Sequence, residues 1–155
     1  MQNVKTKRPH QLPFLQASTT QYKKMELIIM DLTGPMSVQT WSGMLYALIL
    51  VEAHSRYRVG QLLKLKDSDT ISDTLKVTIT MLECQLGVKV KKIRTDNSKE
   101  FVNDAIKAFC KHKGILHEMT APYTPEQNGI VEWVITTYFE MVRCMLHASG
   151  MDLCY

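Results

Sequence analysis

Apolar positions along this chain fall into short unbroken runs and into helical spacings, and the two patterns alternate. Met25 to Asp31 (MELIIMD) is an apolar run of strand length, broken by Thr33-Gly34-Pro35. Met44 to Val51 (MLYALILV) is a second run, apolar enough for a buried strand, with Ser42-Gly43 placed to close a turn before it. Arg56 to Leu65 alternates and reads as a third strand. Three strands in succession predict an antiparallel meander. The pattern then changes: Ile71, Leu75, Ile79, Leu82 and Leu86 recur at helical spacing, so a helix is expected from a cap at Ser68 or Asp69 to about Gln85, with Gly87 ending it. Val88 to Thr95 reads as a fourth strand, Phe101 to Lys113 as a short helix stopped by Gly114, and Ile115 to Met119 as a fifth strand. Thr120 to Gly129, with its two prolines, reads as a loop. A last helix is expected from Ile130 to about His147, with Val131, Val134, Ile135, Tyr138, Val142, Met145 and Leu146 as its apolar stripe. This order is an α/β layout with helices packed on a sheet. Residues 1–23 are polar and irregular and read as a tail or linker before one domain over 24–155.

Composition narrows this only a little. At 155 residues and 45% hydrophobic content the chain supports one domain with an ordinary core. The net charge of +4 fits a nucleic-acid partner and equally fits a slight lysine excess on an ordinary surface. No apolar run is long enough for a membrane span, and the start (MQNVKTKRPHQ) lacks the apolar centre of a secretory signal. Cys84, Cys110, Cys144 and Cys154 are scattered, without the close pairs of a structural zinc site, and reduced thiols are expected. The ten methionines are expected to fill gaps in the core.

Three carboxylates carry the candidate chemistry. Asp31 closes the first apolar run, Asp96 follows the run KVKKIRT, and Glu132 falls in the expected first turn of the last helix. Each has an ordinary explanation. Asp96 is a turn former, Glu132 is favoured at a helix start, and it shares a polar face with Thr136, Glu140, Arg143 and His147. Asp31 is different, because a carboxylate directly after ELIIM is partly buried if its strand is central, and a buried carboxylate needs a partner. If the first and fourth strands are neighbours, Asp31 and Asp96 project from adjacent strand ends. Clustered carboxylates repel one another, and a hard dication such as Mg²⁺ relieves the repulsion. Two such ions, roughly 3.5–4 Å apart, suit phosphoryl transfer. Lys89, Lys91, Lys92 and Arg94 before Asp96, and Lys107, Lys111 and Lys113 beyond it, are either phosphate contacts or a solvated basic face. Tyr123 can stack on a base or pack under its own loop, and His117 reads as a hydrogen-bonded histidine at a strand edge before it reads as a metal ligand.

Together the segments ELIIMDLTGPM, HSRY (54–57), IRTDNSKEF, GILHEMTAPYTPEQNGIVE and MVRCML resemble the integrase catalytic core of LTR retrotransposons, most closely the Copia type, from about Leu12 to Tyr155. The resemblance implies a ribonuclease-H-like fold, a mixed five-stranded sheet flanked by helices. It implies an acidic triad of Asp31, Asp96 and Glu132 binding Mg²⁺ or Mn²⁺, as two ions, and DNA contacts from Asn97, Tyr123, Gln127, Asn128 and Lys92. It also implies DNA end trimming and strand transfer, homo-oligomers on element and target DNA, no membrane, and work in the nucleus or in cytoplasmic particles. The pattern is broken at Ser98 and Lys99, where glycines are usual, and at Trp133, Ile135 and Thr136, where arginine, asparagine and arginine are usual. Ala53 stands where acidic residues are usual, and counterparts of the terminal modules of full integrases are not expected here. A decayed or repurposed core, binding nucleic acid or a protein partner through an exposed Trp133 and Ile135, is the competing expectation; a ribonuclease-type hydrolase on the same fold is a third.

Overall fold

The computed structural model describes residues 21–120, 125–152 and 154, with the side chains of 125–128 outside that description. Five strands, β1 (Leu27–Thr33), β2 (Tyr46–Glu52), β3 (Arg58–Leu63), β4 (Lys92–Thr95) and β5 (Leu116–Met119), form one sheet in the order β3-β2-β1-β4-β5. β3, β2 and β1 make the expected antiparallel meander. β4 and β5 add on in parallel beyond β1. The helices are α1 (Ser68–Leu86), α2 (Asp104–Lys113) and α3 (Pro125–Ser149).

β1 and β2 read as unbroken apolar runs because both their faces are covered. On one face Ile28, Met30, Leu48 and Leu50 pack with Ile71, Leu75, Ile79 and Leu82 of α1 and with Phe101, Ile106 and Cys110. On the other, Leu27, Ile29, Ala47, Ile49 and Val51 pack with Val131 and Val134 of α3. The result is a sheet between two helical layers, a ribonuclease-H-like arrangement.

Several boundaries depart from expectation, each for a local reason. The α1 cap is Asp67, whose carboxylate accepts from the Thr70 N–H at 2.9 Å. α2 begins three residues late, after Asn103, which accepts from the Ile106 N–H at 2.9 Å. β4 starts at Lys92, not Val88, because its partner β1 begins at Leu27, and Leu27 pairs with Lys92. Val90 is held instead by Glu83, which accepts its N–H at 3.0 Å. Strand β1 runs on to Thr33, so Asp31 lies inside it rather than at its end. α3 starts at Pro125, inside the stretch read as a loop. Proline suits the first helical position, where no N–H is needed, and marks a helix start as readily as a loop. Glu132 therefore sits well past the first turn.

The apolar stripe of α3 is only half used. Val131 and Val134 are buried and Ile135 and Tyr138 partly so, whereas Val142 and Met145 are exposed, with Leu146 half-buried. Met25 and Met30 fill the core, but Met81, Met119, Met141, Met145 and Met151 lie on the surface, against the expectation for methionines. No described helix is long and apolar enough to cross a membrane. The four cysteines are free thiols.

Candidate active site

The register of the central strands sets the site. β1 pairs with β4 in parallel, Leu27 opposite Lys92 and Ile29 opposite Arg94. Carried forward along both strands, that register sets Asp31 level with Asp96. Leu27, Ile29 and Asp31 share the face on which α3 packs, since side chains alternate along a strand. The adjacent-strand placement expected for the two aspartates is therefore met, and β1 is central in the sheet.

Asp31 is half-buried, and one of its oxygens accepts the Leu32 N–H at 2.8 Å. Burial pushes its carboxyl up from 3.8 to about 6, against the Leu32 hydrogen bond that pulls it down; the negative charges of Asp96 and Glu132 push it up further. All three carboxylates thus share one field. Asp96 is fixed by a turn of its own, accepting the Ser98 N–H at 3.2 Å, the turn-forming role its sequence position suggests. Beneath it, the Thr95 hydroxyl donates to the Asp96 carbonyl at 2.9 Å and meets His117 Nε2 at 2.9 Å. His117 is the hydrogen-bonded edge histidine expected, and burial pulls its imidazole below the usual range. Glu132 stands exposed on α3, one residue after the buried Val131.

The donor set is chemically suited to a hard dication: three carboxylates, one of them raised by burial and further by the charges of the other two. Among the described residues, however, no three His, Cys, Asp or Glu side chains stand together as a ready metal-binding group. Asp31 is fixed by the sheet and Asp96 by its own turn, whereas the Glu132 side chain is exposed.

The expected DNA contacts fare differently. Asn97 is exposed beside Asp96. Lys92 lies at the opposite end of β4 from Asp96, with its ammonium 3.2 Å from Glu118, which also binds Arg94 at 2.8 Å. The basic run before Asp96 is thus partly neutralised within the sheet. Tyr123 lies outside the described residues. Gln127 and Asn128 fall on the first turns of α3, not in a loop, and their side chains lie outside the description.

Two groups near the site escaped the sequence reading. Lys66, beyond β3, is bound to Glu100 at 2.8 Å and is influenced by the charge of Asp96. Arg58, at the start of β3, sets its guanidinium 5.4 Å from the Trp133 ring and 5.6 Å from that of Tyr138. Neither has a local signal, because each partner comes from a distant part of the chain. Trp133 is exposed, as the competing expectation required; Ile135 is half-buried against the core and is not part of an exposed surface.

A mixed five-stranded sheet with one carboxylate on its central strand, a second just past the end of the parallel neighbour and a third on a covering helix defines the class, a ribonuclease-H-like domain. The family described as Integrase core domain matches residues 21–125. The Retrovirus-related Pol polyprotein from transposon TNT 1-94 of Nicotiana tabacum is 30% identical over 144 residues, 93% of this chain and 11% of the polyprotein. That from transposon RE2 of Arabidopsis thaliana is 29% identical over 145 residues, 92% of this chain and 10% of the polyprotein. The chain therefore spans about a tenth of the length of these relatives. Among solved structures, a chain of the simian T-cell lymphotropic virus intasome in complex with PP2A regulatory subunit B56 gamma superposes with a TM-score of 0.68 at 17% identity. That match covers 82% of this chain and 43% of the other, and it shows the shared fold. The chain belongs to the integrase core domain family, as a catalytic core of the Copia type.

Proposed function

We propose that this chain is the catalytic core of a retrotransposon integrase, a metal-dependent polynucleotidyl transferase that trims element DNA ends and joins them to target DNA. The observation that carries the reading is the register that sets Asp31 level with Asp96 on the sheet face covered by α3, the helix that bears Glu132, in a chain of the integrase core family. Asp31, Asp96 and Glu132 would hold Mg²⁺ or Mn²⁺. When bound, such ions activate a hydroxyl nucleophile and neutralise the leaving oxygen of a phosphodiester. The protein's own part is positioning. Asp31 lies inside a central strand and cannot shift without its neighbours, and Asp96 is braced by the Ser98 N–H and Thr95. Glu132 brings the third charge from α3, the helix that covers the Asp31 face of the sheet. Water is the nucleophile in end trimming and the new 3′ hydroxyl in strand transfer, with no covalent bond to the protein. DNA, further copies of the chain and a nuclear setting complete the reading.

A branched DNA mimic of the integration product, mixed with the protein and Mg²⁺ or Mn²⁺, tests it by reverse strand transfer. Metal-dependent resolution that disappears in Asp96→Asn and Glu132→Gln is the expected result. Undiminished activity in Asp96→Asn would sink the triad.

The exposed Trp133 beside Glu132 supports a second reading, a repurposed core that binds nucleic acid without chemistry. A folded protein that binds DNA but resolves no branched substrate would favour it.

A further inference from the structure

We infer that Trp133, held by Arg58, is a stacking seat for an unpaired nucleobase next to the acidic centre; this rests on the nucleic-acid-binding reading above. Trp133 follows Glu132 directly on α3 and is 60% exposed. An exposed indole is normally a mobile surface side chain, but this one is held. The Arg58 guanidinium lies over its ring at 5.4 Å, and over the ring of Tyr138, itself packed against the core, at 5.6 Å. A cation over one face of an aromatic ring fixes it by quadrupole attraction. The ring has a second face, and its exposure leaves room for a flat partner. The bracing guanidinium also adds positive charge where a phosphate chain would run.

Location selects the partner. Arg58 pairs with Val51, and Val51 with Ile29, two residues before Asp31. The backbone of Arg58, which holds the seat, therefore lies about 12 Å from that of Asp31 by strand rise and spacing. That is the reach of a nucleotide close to a phosphodiester held at the carboxylates. Bases within a duplex have both faces covered, so an aromatic side chain stacks on bases that are unpaired, flipped or at a strand end. A strand end is what an end-joining core must hold. The seat would grip it without reading its sequence, because every base offers a flat face.

Fluorescence anisotropy of a labelled single-stranded oligonucleotide tests the inference, with Mg²⁺ and again in EDTA. Wild type, Trp133→Phe and Trp133→Ala are compared on a base-bearing strand and on an abasic backbone of the same length. Trp133→Ala should weaken binding of the base-bearing strand about tenfold, with Trp133→Phe keeping most of the affinity. On the abasic backbone the three should bind alike, and the salt dependence should be unchanged, since no phosphate contact is lost. A Trp133→Ala protein that binds the base-bearing strand like wild type, or loses as much on the abasic one, overturns the stacking seat alone. A folded wild type that binds neither strand in either condition overturns the seat and the nucleic-acid reading together.

Discussion

Asp31 is destabilised by its position, and its raised carboxyl makes that measurable. A carboxyl whose folded value is about 6 against an ordinary 3.8 favours the folded state while protonated. Its contribution is fully present below about 4 and is lost as pH rises through about 6, on the order of 1–3 kcal/mol. Metal-free protein should lose stability across that window in thermal melts. Asp31→Asn should melt roughly 3–8 °C above wild type at pH 8 without metal, yet show no strand transfer. Adding Mg²⁺ at pH 8 should raise the Tm of wild type and leave that of the variant unmoved. Equal melting of the two metal-free proteins at pH 8 would show that the site carries no electrostatic strain. Thr95 tests the brace behind Asp96. Thr95→Val removes the bonds to His117 and to the Asp96 carbonyl and should cost about 1–3 kcal/mol in urea unfolding, while Thr95→Ser restores most of it.

Elements are joined here by a few polar ties that no periodicity announces. Glu83 on α1 is buried and binds Lys113 of α2 at 2.9 Å and the Val90 N–H before β4. Burial pushes its carboxyl up, but Lys113, Val90 and Lys89 outweigh that and hold it below the usual range. Its contribution is present at neutral pH and is lost as pH falls below the ordinary glutamate value of 4.5. Glu83→Ala should cost about 1–3 kcal/mol near pH 7 and flatten the acid limb of the stability curve. In the connection from β1 to β2, Gly34 has φ +124, and a Cβ there would meet the Leu45 carbonyl oxygen at 2.7 Å. Gly34→Ala should destabilise by about 1–3 kcal/mol, read from its unfolding midpoint. The strands and helices themselves were legible because β1 and β2 are buried on both faces and α1 on one. Asp31 and Asp96 were legible because each lies at the edge of an apolar run. The start of α3 was hidden by a proline that serves loops and helix starts equally, and the Lys92 and Arg94 ties to Glu118 depend on a register between strands that spacing along one strand does not reveal.

At the scale of the whole molecule, the acidic centre draws on two layers of unequal attachment. Asp31 lies in β1 and Asp96 directly follows β4, adjoining strands stitched by backbone bonds and covered by α1 and α2 on the far face. Glu132 arrives on α3, whose main contacts are with β1 and β2, and whose last turns lie exposed beyond them. The hold of α3 on the sheet comes from Val131, Val134, the half-buried Ile130, Ile135 and Tyr138, and the Arg58 contact. Amide exchange should therefore be faster along α3 than along β1 and β4, with the residues after Glu140 fastest. A helix so lightly held leaves before the sheet does, and it takes the third carboxylate with it. Under the proposed transferase reading, competence and foldedness should thus part company on warming. The molecule should then fall silent at a temperature where its sheet is still intact, and regain its voice on cooling without having unfolded.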